Sequence, residues 1–374
     1  MINLSSIDAF AIRVPIEKPI KVAFGTFRDR PLVMVRVTDS EGATGWGEIW
    51  SNWPAVGAEH RARLAVNLGQ ALLGRDFASP ADVYHAFTAM TEVLAIQTGE
   101  IGPIAQVIAG IDIAVWDLAS RKRNVPLSRM LSDAPLTRVP VYASGINPDR
   151  PGIYAAARRA EGHRAFKLKI GFGTQLDLRN IAALREAVGA QDEVMIDANQ
   201  SLDRQGALTI MEQAKPHALG WFEEPIRADA PLADWQALAQ ASIIPIAGGE
   251  NLRGAQFADW IARGDMTVFQ PDISKWGGVT GCLEVGNAAV AQGHRYCPHV
   301  FGGGIASLAS LHTLAAVKGT GALETDQHPN AGRELILGDL LPVENGSVAV
   351  PQGPGLGCEV DIGAFSSYIT WASE

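Results

Sequence analysis

The sequence predicts an α/β protein: a TIM-type (β/α)8 barrel with a smaller α+β unit built mainly from the N-terminal region. Two textures support this. Residues 1 to about 50 alternate apolar and polar in short runs and then give way to helical periods. After Pro140, eight short apolar strands alternate with helical segments at spacings of about 25 residues.

In the first unit, FAIRVPI and LVMVRVTD are separated by turn chemistry such as DSEGATGWGE, the pattern of an antiparallel sheet. From Ala58 to Arg123 the period is helical, and the run GIDIAVWDLASRKRNVP stops at a basic cluster and Pro126. The apolar stretch from Ile104 to Ala119 is interrupted by Gln106, Asp112 and Asp117, so it reads as a buried helix and not a membrane span.

The barrel strands are VYAS, FKLKI, VMIDAN, WFEEP, PIAGGE, VFQPD, RYCPHV and ALETD. An open doubly wound sheet is the competing fold. The closing segment PQGPGLGCEVD is expected to return to the first unit. The domains are therefore residues 1–125, completed by about 352–374, and residues 126–351.

The chain has 374 residues, 47% of them hydrophobic, enough for a large core. Its formal charge of -9 and lack of a basic tract argue against a nucleic-acid partner. The start MINLSSIDAFAIRVP lacks a secretory pattern, so cytoplasm is expected, with no membrane partner. Three widely spaced cysteines give neither a disulfide framework nor a thiolate metal site.

Side chains at the carboxyl ends of parallel barrel strands share one face of the molecule. Here those positions hold Lys169, Asp197, Glu223, Glu250, Asp272, His299 and Glu324, at steps of 28, 26, 27, 22, 27 and 25 residues. A single buried acid is more often structural than functional. Asp197, Glu223 and Glu250 in successive repeats are different, because three converging carboxylates repel unless a cation lies among them. Oxygen-only ligation suits Mg2+, with Mn2+ as the substitute. Glu224 adjoins Glu223, and strand alternation lets only one face inward; Glu223 is chosen.

Lys167 and Lys169 in FKLKI share the inward face, and two confined cations depress each other's pKa, which suits a lysine base. Asp272 and His299 end neighbouring strands, where the acid would orient the imidazole. The other seven histidines show no comparable setting. FGGGIAS offers amides to an anion but reads as a plain turn into a helix.

The ordered set KxK at 167–169, DAN at 197–199, WFEEP at 221–225, GGEN at 248–251, QPD at 270–272, PH at 298–299 and LET at 323–325 resembles the mandelate racemase subgroup of the enolase superfamily. GWGE at 45–48 and DIAVWDL at 112–118 are similar to its capping domain and the helix entering its barrel. The resemblance implies a modified (β/α)7β barrel, magnesium on Asp197, Glu223 and Glu250, and bases Lys169 and His299 on opposite faces of the substrate. It implies that Asp272 orients His299, that Lys167 tunes Lys169 and contacts the substrate carboxylate, that Glu324 hydrogen-bonds that carboxylate, and that Asn199 lines the pocket. Asp272 stands where the muconate-lactonising branch has lysine.

The activity the resemblance implies is abstraction of the proton next to a carboxylate, giving an enolate, followed by dehydration of an acid sugar, an aldonate or aldarate. Racemisation or epimerisation of a 2-hydroxy acid and cycloisomerisation of a sugar-acid lactone are the alternatives. A metal-dependent barrel hydrolase would want early histidine ligands, and an acid-sugar binding protein on an inactive barrel is the non-enzymatic reading. The resemblance implies that capping-domain loops select the substrate, here the segments Val22–Arg30 and Trp50–Pro54, with Arg28 and Arg30 available for a second carboxylate. Relatives of this kind assemble as dimers or octamers, which implies a homo-oligomer.

Overall fold

The computed structural model describes residues 1–22 and 25–373. Three strands open the chain: β1 (Ile2–Val22), β2 (Gly25–Asp39) and β3 (Thr44–Ile49). They pair antiparallel, with Ala9 opposite Val35 and Val35 opposite Gly47. The helix α1 (Gly57–Gly69), the short edge strand β4 (Asp76–Phe77), and helices α2 (Pro80–Thr98) and α3 (Ile101–Lys122) follow. Ser79 caps α2 by accepting from the Asp82 amide, Pro80 occupies its first turn, and Gly99 ends it at φ 70°.

Helix α3 lies directly on β3, and the glycines of GWGE make that approach possible. A Cβ on Gly47 would stand 1.9 Å from the Gly110 carbonyl oxygen, and one on Gly45 2.2 Å from that of Ala114. Although α3 is long and apolar enough to cross a membrane by composition, 72% of its most apolar window is buried inside the protein. Its polar interruptions have structural partners. Asp112 accepts from the Thr280 amide and hydroxyl, and Asp117 from the amides of Trp46 and Leu356.

After the short helix α4 (Leu127–Leu131), strands and helices alternate: β5 (Arg138–Ile146), α5 (Pro151–Ala160), β6 (Ala165–Lys169), α6 (Thr174–Val188), β7 (Glu193–Asp197) and α7 (Arg204–Ala214). The series continues with β8 (Phe222–Glu223), α8 (Leu232–Ala241), β9 (Ile246–Gly248), α9 (Gln256–Arg263), β10 (Val268–Phe269) and α10 (Gly278–Ala291). It ends with β11 (Arg295–Tyr296), α11 (Gly304–Val317), β12 (Leu323–Asp326) and the short α12 (Ala331–Leu337). The strands form one curled parallel sheet in the order β11-β10-β9-β8-β7-β6-β5-β12. Seven strand–helix units followed by a closing strand are the modified barrel, not an open doubly wound sheet.

Alternation along these strands separates two environments. Tyr142, Met195, Trp221 and Cys297 fill the barrel interior, with Trp221 edge-on to Tyr142 at 5.1 Å. Phe166, Leu168, Ile196 and Phe222 face the surrounding helices. Beyond β13 (Ser347–Ala349), which pairs antiparallel with β5, the chain returns as expected, and β14 (Ile369–Ala372) joins β1.

Candidate active site

The carboxyl ends of the barrel strands meet below the antiparallel sheet in a cavity with room for water over about 70 Å³. Lys169, Asn199, Glu250, His299 and Glu324 line it from the barrel, and Phe27, Trp50, Asn52 and Trp53 from the sheet and the loop after it.

Lys167 and Lys169 both turn inward, as their i, i+2 spacing requires. The Lys169 ammonium donates to Asp197 and, at 2.9 Å, to Asn199 Oδ1. Lys167, fully buried, donates to Glu223 Oε1 at 2.7 Å and lies 2.8 Å from Glu324 Oε1. Burial alone would lower both ammonium pKa values, yet Asp197 for Lys169, and Glu223 and Glu324 for Lys167, leave both raised. The expected mutual depression is thus outweighed by the carboxylates each lysine meets.

His299 Nδ1 lies 2.7 Å from Asp272 Oδ2, and the opposite ring nitrogen 2.9 Å from Glu250 Oε2. Asp272 is fixed in turn by the Ser274 hydroxyl at 2.7 Å and by the amides of Ser274 and Lys275. Burial works against the imidazolium, but Glu250 and Glu324 by charge, and Asp272 by hydrogen bonding, hold it well above the usual histidine value. Glu324 accepts from the Ser144 hydroxyl at 2.5 Å and from the Val300 amide at 2.9 Å.

Glu223 follows Trp221 on the inward face, where its second oxygen accepts from the Trp221 ring at 3.2 Å and from Gln270 at 2.6 Å. Glu224, at φ 38°, accepts from Asn251 through one oxygen, while its other oxygen is buried without a partner. Asn199 and Gln200 also take positive φ, 42° and 65°, so backbone strain gathers at this rim. Burial, then neighbouring carboxylates, raise Glu223 to about 7 and Glu224 to about 8. Among the described residues no three acidic, histidine or cysteine side chains stand in ligating array. Each carboxylate is turned onto a protein cation: Asp197 to Lys169, Glu223 to Lys167, Glu250 to His299 and Lys275. The all-oxygen donors, the orphaned Glu224 oxygen and the raised carboxyls fit a hard divalent cation, which would supply the missing positive charge.

Arg28 does not join this site. Phe27 lines the cavity, whereas Arg28 beside it is exposed and does not. Arg30 is buried, bonds Asp326 at 2.8 Å and is not among the residues lining the cavity. Ala23 and Phe24 of the Val22–Arg30 segment lie outside the described residues. The FGGGIAS turn does hold an anion: the Gly303 and Ala306 amides donate to the Glu48 carboxylate. Sequence reasoning passed over Lys275, which donates to Asn251 at 2.7 Å and lies 5.1 Å from the Trp50 ring centre. It also passed over His328, whose pairing with Asp326 at 2.8 Å contradicts the reading that the other seven histidines show no setting comparable to that of His299.

A barrel with this ring of lysines, acids and an Asp–His pair defines a class: the chain belongs to the enolase superfamily, in its mandelate racemase and muconate lactonizing enzyme group. Residues 6–132 match the mandelate racemase/muconate lactonizing enzyme N-terminal domain, and residues 153–364 the enolase C-terminal domain-like family. The chain is 31% identical to the D-galactarolactone cycloisomerase of Agrobacterium fabrum, over 98% of each protein. A solved mandelate racemase/muconate lactonizing enzyme from Bordetella bronchiseptica RB50 is 45% identical, with a TM-score of 0.91 over 98% of this chain and 99% of the other. An enolase from Bradyrhizobium, solved with magnesium and mandelic acid, is 29% identical, with a TM-score of 0.86 over 99% of each chain. The protein is accordingly an enzyme of the lyase or isomerase kind.

Proposed function

We propose that this protein removes the proton next to the carboxylate of an acid sugar and expels the oxygen on the neighbouring carbon, most simply as a dehydratase. The observation that carries this is one cavity reached by Lys169 from β6 and by the Asp272-held His299 from the end of β11. A proton beside a carboxylate is weakly acidic, so its removal needs negative charge stabilised at the substrate oxygens. Asp197, Glu223 and Glu250 would hold Mg2+, with Mn2+ as substitute, and the bound ion supplies that stabilisation as a Lewis acid. Glu224 is the competing donor.

Lys169 then takes the proton as base once Asp197 is engaged elsewhere. Lys167 meets the substrate carboxylate by charge, Glu324 donates a hydrogen bond to it once it has taken up a proton, and Asn199 holds Lys169 in line. His299 gives a proton to the departing oxygen, which leaves as water in dehydration. In a lactone the departing oxygen is a ring oxygen and the outcome is cycloisomerisation; the likeness to the Agrobacterium enzyme supports this second reading.

The same reading assigns residues 1–125 with 352–374 to a cap over the cavity and residues 126–351 to the barrel. It also carries a cytoplasmic homo-oligomer, dimer or octamer, acting on a small carboxylate without nucleic-acid or membrane partners.

Incubating the magnesium-loaded protein with a panel of aldonates, aldarates and their lactones in deuterated water tests the proposal. Loss of water with deuterium appearing on the carbon that lost its hydroxyl supports dehydration, and ring opening with deuterium on the carbon that lost the ring oxygen supports cycloisomerisation. Exchange with inversion and no elimination would mean a racemase. Absence of exchange with every acid would sink the catalytic reading.

A further inference from the structure

In the cavity wall beside Glu324, one imidazole stands among aromatic rings with its orientation fixed on every side. His328 Nδ1 lies 2.8 Å from Asp326 Oδ1, which also accepts from the His328 amide at 3.0 Å. The other Asp326 oxygen is held by Arg30 at 2.8 Å and Arg333 at 3.4 Å, and Arg333 donates to the His328 carbonyl at 3.0 Å. Asp326 therefore cannot swing away from the ring.

The ring also rests against Gly145, at φ 77°, where a Cβ would come within 2.4 Å of it. Phe301 meets it edge-on at 6.3 Å, and the Arg30 guanidinium covers Phe301 at 4.1 Å. With Nδ1–H given to Asp326, the Nε2 lone pair is left for the cavity. Among the described residues its one protein partner there is the Asn147 amide, at a long 3.3 Å. That lone pair takes one donor, so a ligand hydroxyl would displace this long contact and free the Asn147 amide to donate to a second ligand oxygen.

We infer that His328, positioned by Asp326 and assisted by Asn147, is a specificity-determining residue that accepts a hydrogen bond from a hydroxyl on the part of the substrate remote from the reacting carboxylate. The inference rests on the acid-sugar reading above and deepens it. Phe27, Trp50, Trp53 and Phe301 give much of this wall apolar faces, so the imidazole, with the amides of Asn52 and Asn147, is what favours a polyhydroxy chain over a merely apolar one.

Calorimetric binding to the magnesium-loaded protein tests it with two probes: D-galactonate, a six-carbon aldonate, and D-glycerate, a three-carbon acid offering only the reacting end. His328→Leu should weaken D-galactonate binding roughly tenfold, the scale of one neutral hydrogen bond, and leave D-glycerate within about threefold. His328→Gln, whose amide oxygen can accept, should recover part of the loss, with melting temperatures confirming the fold of both variants. Unchanged D-galactonate affinity, or equal losses for both probes, overturns the role of His328 alone. A wild type that binds neither acid overturns the acid-sugar reading, and this inference with it.

Discussion

Lys169 and His299 each face the cavity through one nitrogen and contribute little to the packed interior, so their loss should be chemical and not structural. Lys169→Ala and His299→Asn are expected to lower turnover by at least about a thousandfold while melting within a few degrees of wild type. Steady-state kinetics beside thermal melts checks both halves, and full activity in either variant would remove that residue from the proton path. These two residues were legible because their strands end in polar groups, and FKLKI fixes its inward pair by a spacing of two. Their protonation balance was not legible. It depends on Asp197 and Glu250 folding back onto them, a long-range contact that no local pattern encodes. Arg28 misled for a related reason: only the folded chain shows that Phe27 beside it, and not Arg28, lines the cavity.

At the scale of elements, the contact between α3 and β3 is the least tolerant in the cap. Gly47→Ala places a methyl group against the Gly110 carbonyl, and relief requires the helix to move off the strand. A destabilisation of about 3 kcal/mol, at the upper end for overpacking, is expected in urea unfolding. A loss below about 0.5 kcal/mol would show that α3 shifts freely. The eight barrel strands were readable from their texture, although several are far shorter in hydrogen bonding than their apolar runs, as with β8 at two residues. The glycines of GWGE carried no such message alone, because what they approach lies over 60 residues away.

At the scale of the whole molecule, three buried carboxylates, Glu48, Asp112 and Asp117, join the antiparallel layer and α3 to the rest of the chain. Burial raises the Glu48 carboxyl to about 7, against the Gly303 and Ala306 amides, which favour its charged form. In the unfolded chain the group titrates at about 4.3. Between those values the folded state keeps a proton that the unfolded state has released, so this group's contribution to stability falls as pH rises through the window. Glu48→Gln removes the titration. The stability of wild type relative to that variant should therefore fall by up to about 1.4 kcal/mol per unit between pH 5 and 7, measured by urea unfolding. A difference constant across that range would mean that Glu48 is ionised throughout.

The pairing of β14 with β1 has a consequence for biosynthesis. The Ala9 amide donates to the Ser373 hydroxyl, 364 residues further along the chain, at 3.1 Å. During translation the opening strand leaves the ribosome long before β14 exists, and the stretch of its outer edge at Phe10–Ile12 waits, unpaired, while the eight staves and their helices are made. The last residues then act as a latch, so nascent chains stalled just short of β14 should be the ones most prone to edge-to-edge association.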